Sequence, residues 1–498
     1  MNTGLRCIAG ILGLLLGGGP QMAIAAGIGF SLSPPVITNN YVGQITLLMS
    51  NLTPGMTVTV DEIADVDANG IIDAGDQPLA SFQLTDGQSP LVGGIRNVNV
   101  PGDDDGLANG QILVHYNYGD SGGGLWSGKL LFRVSDPAGN LTAATQALTV
   151  VQYVYPQAIV GRASVAGTGA PLTNCLLGLV SSPSETMVAA TDTNGNYVFY
   201  GLPPSYVVLG LNQQAAIFNE FQVVSLSCGQ IATNNLVVSQ GDFSISGRVT
   251  DSGTGAGVPD LQMDANTPDG FDLISFTDTN GNYSLQVTPD TWRVHPTTGA
   301  PAARGYVDPT RTSVNVTNAN VSGVNFSLSK ATALIYGTVQ DTLGNPIFGI
   351  QVSTRDSADI YRAVGRSFAT NGSYAIGVLA NTWYSIAPDA ADLSLQGLAS
   401  SNAYNVTLTA GQTTNVNFFV VRTNFPSLTK PVHVSDSQFQ FLLKGLAGQA
   451  YSVQTVTNLG STNWLVLLST NAPCSSVFIL DSQGTNGQRF YRALVVPW

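Results

Sequence analysis

The sequence predicts an all-β protein: tandem β-sandwich domains following one another in an extended multidomain chain. Two observations predict it. Only 10% of the 498 residues are charged, and the only glutamates are Glu62, Glu185 and Glu220, the only lysines Lys129, Lys330, Lys430 and Lys444. Glu and Lys normally furnish exposed helix faces, where they lose little rotamer freedom. Plentiful Gly, Thr and Val suit short strands joined by turns instead. The second observation is a pattern that recurs three times in a chain too long for one domain.

Its three copies open IVGRASVAGTGAPLTNCLLGLV, ISGRVTDSGTGAGVPDLQMDA and IYGTVQDTLGNPIFGIQVST. They continue ATDTNGNYVFYGLPPSYVVLGL, FTDTNGNYSLQVTPDTWRVHP and FATNGSYAIGVLANTWYSIAP. From Gly161 to Tyr197, Gly247 to Tyr283 and Gly337 to Tyr374 the separations are 36, 36 and 37 residues. Such self-similarity marks homologous units. Ile159, Val165, Ile245, Val249, Ile335 and Val339 are apolar sites of a first strand with period two. Pro171, Pro259 and Pro346 stiffen the start of the second. Asp-Thr-Asn-Gly-Asn at 192–196 and 278–282 signals a hairpin, because Asn-Gly takes positive φ readily. Trp292 and Trp383 stand where Tyr206 stands in the first copy, as expected core aromatics. Each unit closes on an alternating strand, as in VSGVNFSLS (321–329) or TNVNFFVV (414–421).

The Ile-x-Gly-x-Val opening, the Gly169–Leu172 step and the Thr-Asp-x-Asn-Gly-x-Tyr run resemble the carboxypeptidase regulatory-like domain, a seven-stranded transthyretin-like (prealbumin-like) sandwich. The Gly-Leu-Pro run at Gly201 to Pro203 matches in the first copy only, and the third copy lacks the hairpin Asp. The resemblance covers about half the chain. It implies accessory modules, of a kind of sandwich that sometimes binds carbohydrate.

The copies span 154–242, 243–330 and 331–424. Before them, residues 27–153 offer strands at QITLLMSNL, MTVTVDEI, LASFQLTD, QILVHYNY and GKLLFRVSD. The ending Arg133 to Val150 resembles the last hairpin of bacterial Ig-like sandwiches. After them, residues 425–498 resemble a terminal β-domain common in secreted bacterial proteins, with Trp464, Phe490 and Tyr491 expected in its core. Linkers between units are short, so a rod or gently bent string is expected.

Residues 1–26 read as a secretory signal: Arg6, an apolar run from Ile8 to Leu16, then the small-residue site Ala23-Ile24-Ala25-Ala26. The run is too short to span a bilayer, and no later segment reaches that length. The mature chain is therefore expected to be secreted or at the cell surface. Export permits disulfides. Cys175 and Cys228 fall in one repeat, where a disulfide and two buried thiols stand as alternatives; Cys474 has no obvious partner.

A net charge of -13, mostly from Asp, repels phosphate backbones and argues against nucleic acid. It suits calcium, a hard cation that takes oxygen ligands. One stretch has the matching spacing, DVDANGIIDAGD, 65–76. Asp65, Asp67, Asn69, Asp73 and Asp76 occupy positions 1, 3, 5, 9 and 12 of a calcium loop. Gly70 stands at 6, Ile71 offers its carbonyl at 7, and Ile72 is the apolar residue at 8. Asp76 replaces the usual bidentate Glu. With strands rather than helices on both sides, a bound calcium ion is expected to be structural and not a switch. The run Asp103-Asp104-Asp105 could assist or be a solvated loop.

Catalytic patterns fail. Gly119-Asp120-Ser121-Gly122-Gly123 imitates a serine-protease signature, but His115 is the only preceding histidine and too little chain precedes it. His295 and His433 fall in other domains. Zinc, nucleophile-elbow and phosphate-loop motifs are absent. The expectation is a non-catalytic modular protein acting in structure, adhesion or binding, with an extracellular protein or glycan as partner. The alternatives are a carbohydrate-binding protein using an exposed sandwich face, and the accessory part of an extracellular hydrolase. Full burial of Trp292 and Trp383 would remove the best-placed sugar platforms.

Overall fold

A computed structural model describes residues 27–496, apart from 40, 42, 74, 118–124, 182–184, 202–204, 212–215, 219–222, 269–271, 369–370, 401, 436–437 and 484–487. The expected signal and the protease-like run thus lie outside the described residues. Strands dominate; among the described residues helix is limited to Ala390–Leu395 and a 3-10 turn at Ala302–Arg304. No helix among the described residues is long and apolar enough to cross a membrane.

In the first module a three-stranded sheet (Gly29–Ser33, Gln44–Ser50, Ile112–Asn117) faces a five-stranded one. The five run in the order Val36–Thr38, Ala144–Val151, Gly128–Ser135, Thr57–Asp65, Gln77–Thr85. Ile45, Leu47 and Met49 alternate inward from one sheet and Val58, Val60, Leu130 and Phe132 from the other, all fully or nearly fully buried. That is the period-two pattern of a half-buried strand.

The three repeats share one device. Their opening strands, Ala158–Val165, Phe243–Asp251 and Ala333–Asp341, have two pairings in common. The first half runs antiparallel to the hairpin strand and the second half parallel to the closing strand. Gly161 lies opposite Tyr197, Gly247 opposite Tyr283 and Gly337 opposite Tyr374. The tyrosine hydroxyls donate to the carbonyls of Asn234, Val324 and Val416. Those are the same carbonyls that a Cβ on the glycines would strike, at 1.7, 1.8 and 1.8 Å. The recurring Gly–Tyr separation is therefore a packing requirement. Trp292 and Trp383 are fully buried, and each indole N–H donates to a carbonyl four residues back, Thr288 or Leu379, at 2.9 Å.

Two three-stranded sheets form the last module: Ser427–Ser435, Gln438–Lys444 and Ser476–Asp481 in one, Leu465–Asn471, Ala450–Val456 and Phe490–Val495 in the other. Phe441, Leu443, Tyr451, Val453 and Ile479 fill its core, with Tyr491 packed against it. Trp464 is half-buried under Arg492, 4.2 Å from ring to guanidinium.

The cysteines pair differently from the alternatives weighed for the first repeat. Cys228 is bonded to Cys474, 246 residues away, and Cys175 is a free thiol in the repeat's core. Cys175 points between the sheets, and burial pushes its thiol up to about 12. Cys228 sits in an exposed turn, free to meet the last module. Gln157 ties the same contact: its amide donates to Gly201 O (2.9 Å) and Pro473 O (3.0 Å), and its Oε1 accepts from Gly229 N–H (3.3 Å). Elsewhere Asn99 of the first module donates to Ala375 O and accepts from Arg366 N–H in the third repeat. The expected string of modules is thus cross-tied between units distant in sequence.

Candidate metal centre

The acidic loop closes a β-hairpin. Thr57–Asp65 and Gln77–Thr85 pair antiparallel up to Ala64 opposite Gln77, so Asp65 and Asp76 mark the two mouths of the loop. Three carboxylates converge: Asp65, Asp67 and Asp76 each bring an oxygen within 4.8 Å of the other two.

Backbone N–H groups wind the loop around its own side chains. Asp65 Oδ2 accepts from Gly70 N–H at 2.8 Å, Asp67 Oδ1 from Asn69 N–H at 3.1 Å, and Asn69 Oδ1 from Ile71 N–H at 2.6 Å. Asp73 Oδ1 accepts from Gly75 N–H at 2.8 Å; Asp76 accepts from Val66 N–H at 3.2 Å and Asp73 N–H at 3.0 Å. Ala68 and Gly70 both take positive φ, 59° and 79°, which allows the tight coil.

Asp65 departs from this satisfaction. It is buried, 1% exposed, and its Oδ1 has no hydrogen-bond partner. A buried charged oxygen without a partner is costly. Burial raises the pKa of Asp65, Asp76 and Asp67 add to the rise, and the Gly70 N–H and Lys129 oppose it. Asp73 is held low by the Gly75 N–H and the Asn69 amide. The donor set is all oxygen, as a hard divalent cation prefers, and the orphaned Oδ1 lies on a member of the converging triplet. The residues fit calcium.

Of the six residues chosen from sequence, Asp65, Asp67 and Asp76 form the triplet. Asp73 stands outside it but is joined through Asn69, whose amide nitrogen bridges Asp67 Oδ2 (2.8 Å) and Asp73 Oδ2 (3.0 Å). Ile71 contributes its N–H to Asn69, and its side chain is exposed. Sequence reasoning missed Lys129. It lies opposite Asp65 on the neighbouring strand, and its ammonium donates to Ala68 O at 3.1 Å. Only strand register brings it there.

The second acidic run has other work. Asp103 is buried and accepts from Gly87 N–H (2.8 Å) and Leu113 N–H (3.1 Å). Asp104 meets Arg96 at 3.0 Å and His115 at 2.9 Å, and Asp105 accepts from Leu107 N–H at 2.7 Å. The remaining histidines are dispersed: His295 meets Asp264 at 3.2 Å, and His433 packs edge-on to Phe439.

No family model matches the chain, and no curated protein matches it. Solved structures that it resembles include the Bacillus anthracis TIE protein, at 9% identity and a TM-score of 0.18, over 79% of this chain and 75% of that one. A streptococcal ancillary pilin matches at 13% identity and 0.19, over 53% and 98%. The major pilin subunit of Bacillus cereus matches at 9% and 0.15, over 53% and 99%. At these scores the likenesses carry no argument about this chain.

Proposed function

We propose that the chain is an exported, non-catalytic modular protein of the cell surface or extracellular space, acting in structure or adhesion. The observation that supports this most is how its polar side chains are used. Asp86, Asp103, Asp136, Asp192, Asp278 and Asp341 each accept backbone N–H bonds that hold turns. Five apolar cores among the described residues and a covalent tie between distant modules suit a scaffold. The partner is an extracellular protein or glycan. Burial of Trp292 and Trp383 leaves the sugar-platform reading without its best candidates. Protease treatment of intact cells, followed by blotting for the chain, tests the reading. Loss of the full-length band is expected; a band that survives until the cells are lysed would overturn surface exposure.

The 65–76 loop is proposed as a structural calcium site, with Asp65, Asp67 and Asp76 as carboxylate ligands and Asn69, Ile71 and Asp73 completing the shell. The orphaned, buried Asp65 Oδ1 carries that proposal. The ion would staple the mouth of a hairpin.

A further inference from the structure

We infer that the cation held by the 65–76 loop sets the rigidity of the joint between the first module and the first repeat. The inference rests on the calcium reading above and extends it. Strand register places the loop at that joint. Asp65 lies opposite Lys129, and Lys129 lies opposite Thr149. Two residues beyond Thr149, Val151 ends its strand beside Thr38, and the chain then leaves for the repeat. Loop and exit therefore share one pole of the five-stranded sheet.

The same pole is anchored in the repeat. Leu125–Trp126 pairs in parallel with Glu185–Ala190, Leu125 beside Met187 and Trp126 beside Val188. Ser127 N–H donates to Val188 O at 2.9 Å. Leu176 and Val188 of the repeat are each 1% exposed and belong to the first module's core. Lys129 bridges loop and anchor. Its ammonium holds Ala68 O in the loop, while its backbone stands two residues after the Ser127 bond to the repeat. A cation that freezes the loop removes freedom from Lys129 and from the strand start it belongs to, so local opening of the joint becomes rarer.

The test uses the whole mature chain. Isothermal titration reports calcium binding, and hydrogen exchange of peptides covering 125–130 and 185–190 reports the joint. Both are run on the wild type and on Asp67→Asn, an exposed substitution that removes a ligand and leaves the core alone. Calcium should slow exchange at the joint by about tenfold in the wild type and leave the variant unchanged. If calcium binds but protection stays within 66–76, the joint inference is overturned and the site stands. If no binding occurs at millimolar calcium, the site reading falls and this inference with it.

Discussion

Gly247 and Tyr283 face each other on paired strands and both serve one carbonyl, that of Val324. The glycine leaves the space, and the phenol fills it with a 2.6 Å hydrogen bond. Burial raises the Tyr283 pKa well above the usual phenol range, so the hydroxyl stays a donor at any physiological pH. Tyr283→Phe should cost about 1 kcal/mol, the usual net worth of one such bond. Gly247→Ala should cost about 1–3 kcal/mol, since its Cβ must displace backbone. Hydrogen exchange of the second repeat within the whole chain reads both losses; a variant that loses no stability would contradict the geometry.

Calcium at a hundred times its dissociation constant should raise stability of the first module by about 2.7 kcal/mol. Asp65→Asn should abolish that calcium-dependent gain in melting temperature. The variant should also melt higher than the wild type in chelator, because its buried orphan oxygen no longer carries charge. A calcium response that survives Asp65→Asn would place the ion elsewhere.

The Cys228–Cys474 bond closes a span of 246 residues. In the chain-entropy model its removal costs about 5 kcal/mol. Cys474→Ser should therefore lower the melting temperature, with the last module opening first. In the native wild type a thiol reagent should label no cysteine of the mature chain, because Cys175 is buried with its thiol pushed up to about 12. Labelling before denaturation would count against both assignments.

Asp308 offers a pH test. Burial raises its carboxyl to about 7, against the pull of the Gly299 N–H and of His295. Its Oδ1 has no hydrogen-bond partner. A folded-state pKa above the unfolded value means that the stabilisation is fully present below about pH 4 and is lost as pH rises through about 7. The upper limit is on the order of 4 kcal/mol. Asp308→Asn should flatten this window, gaining most over the wild type at pH 8. Urea midpoints of both proteins at pH 4, 6 and 8 check it; parallel profiles would refute it.

Much of the fold could be read from the chain because its causes are local or repeated. Alternation in QITLLMSNL and MTVTVDEI gives facing strands of the first core. The Gly161–Tyr197 spacing, seen three times, announces a contact within each unit. The loop at 65–76 was readable for the same reason, since its hydrogen bonds run mostly between residues two to five apart. What escaped depends on register or on packing between modules. Lys129 enters the loop from a strand over fifty residues away. Cys474 finds Cys228 only because the last module docks on the first repeat, and no spacing encodes that meeting.

The disulfide also decides where tension would travel. A pull on the two ends of the mature chain passes along residues up to Cys228, crosses the sulfur bridge and leaves from Cys474. The second and third repeats hang inside the bypassed loop. Roughly 800 Å of extensible chain is withheld from the load while the bond stands. Under oxidising conditions the first module, its joint, the first repeat and the last module bear the strain, and reduction brings the second and third repeats into the path of the load.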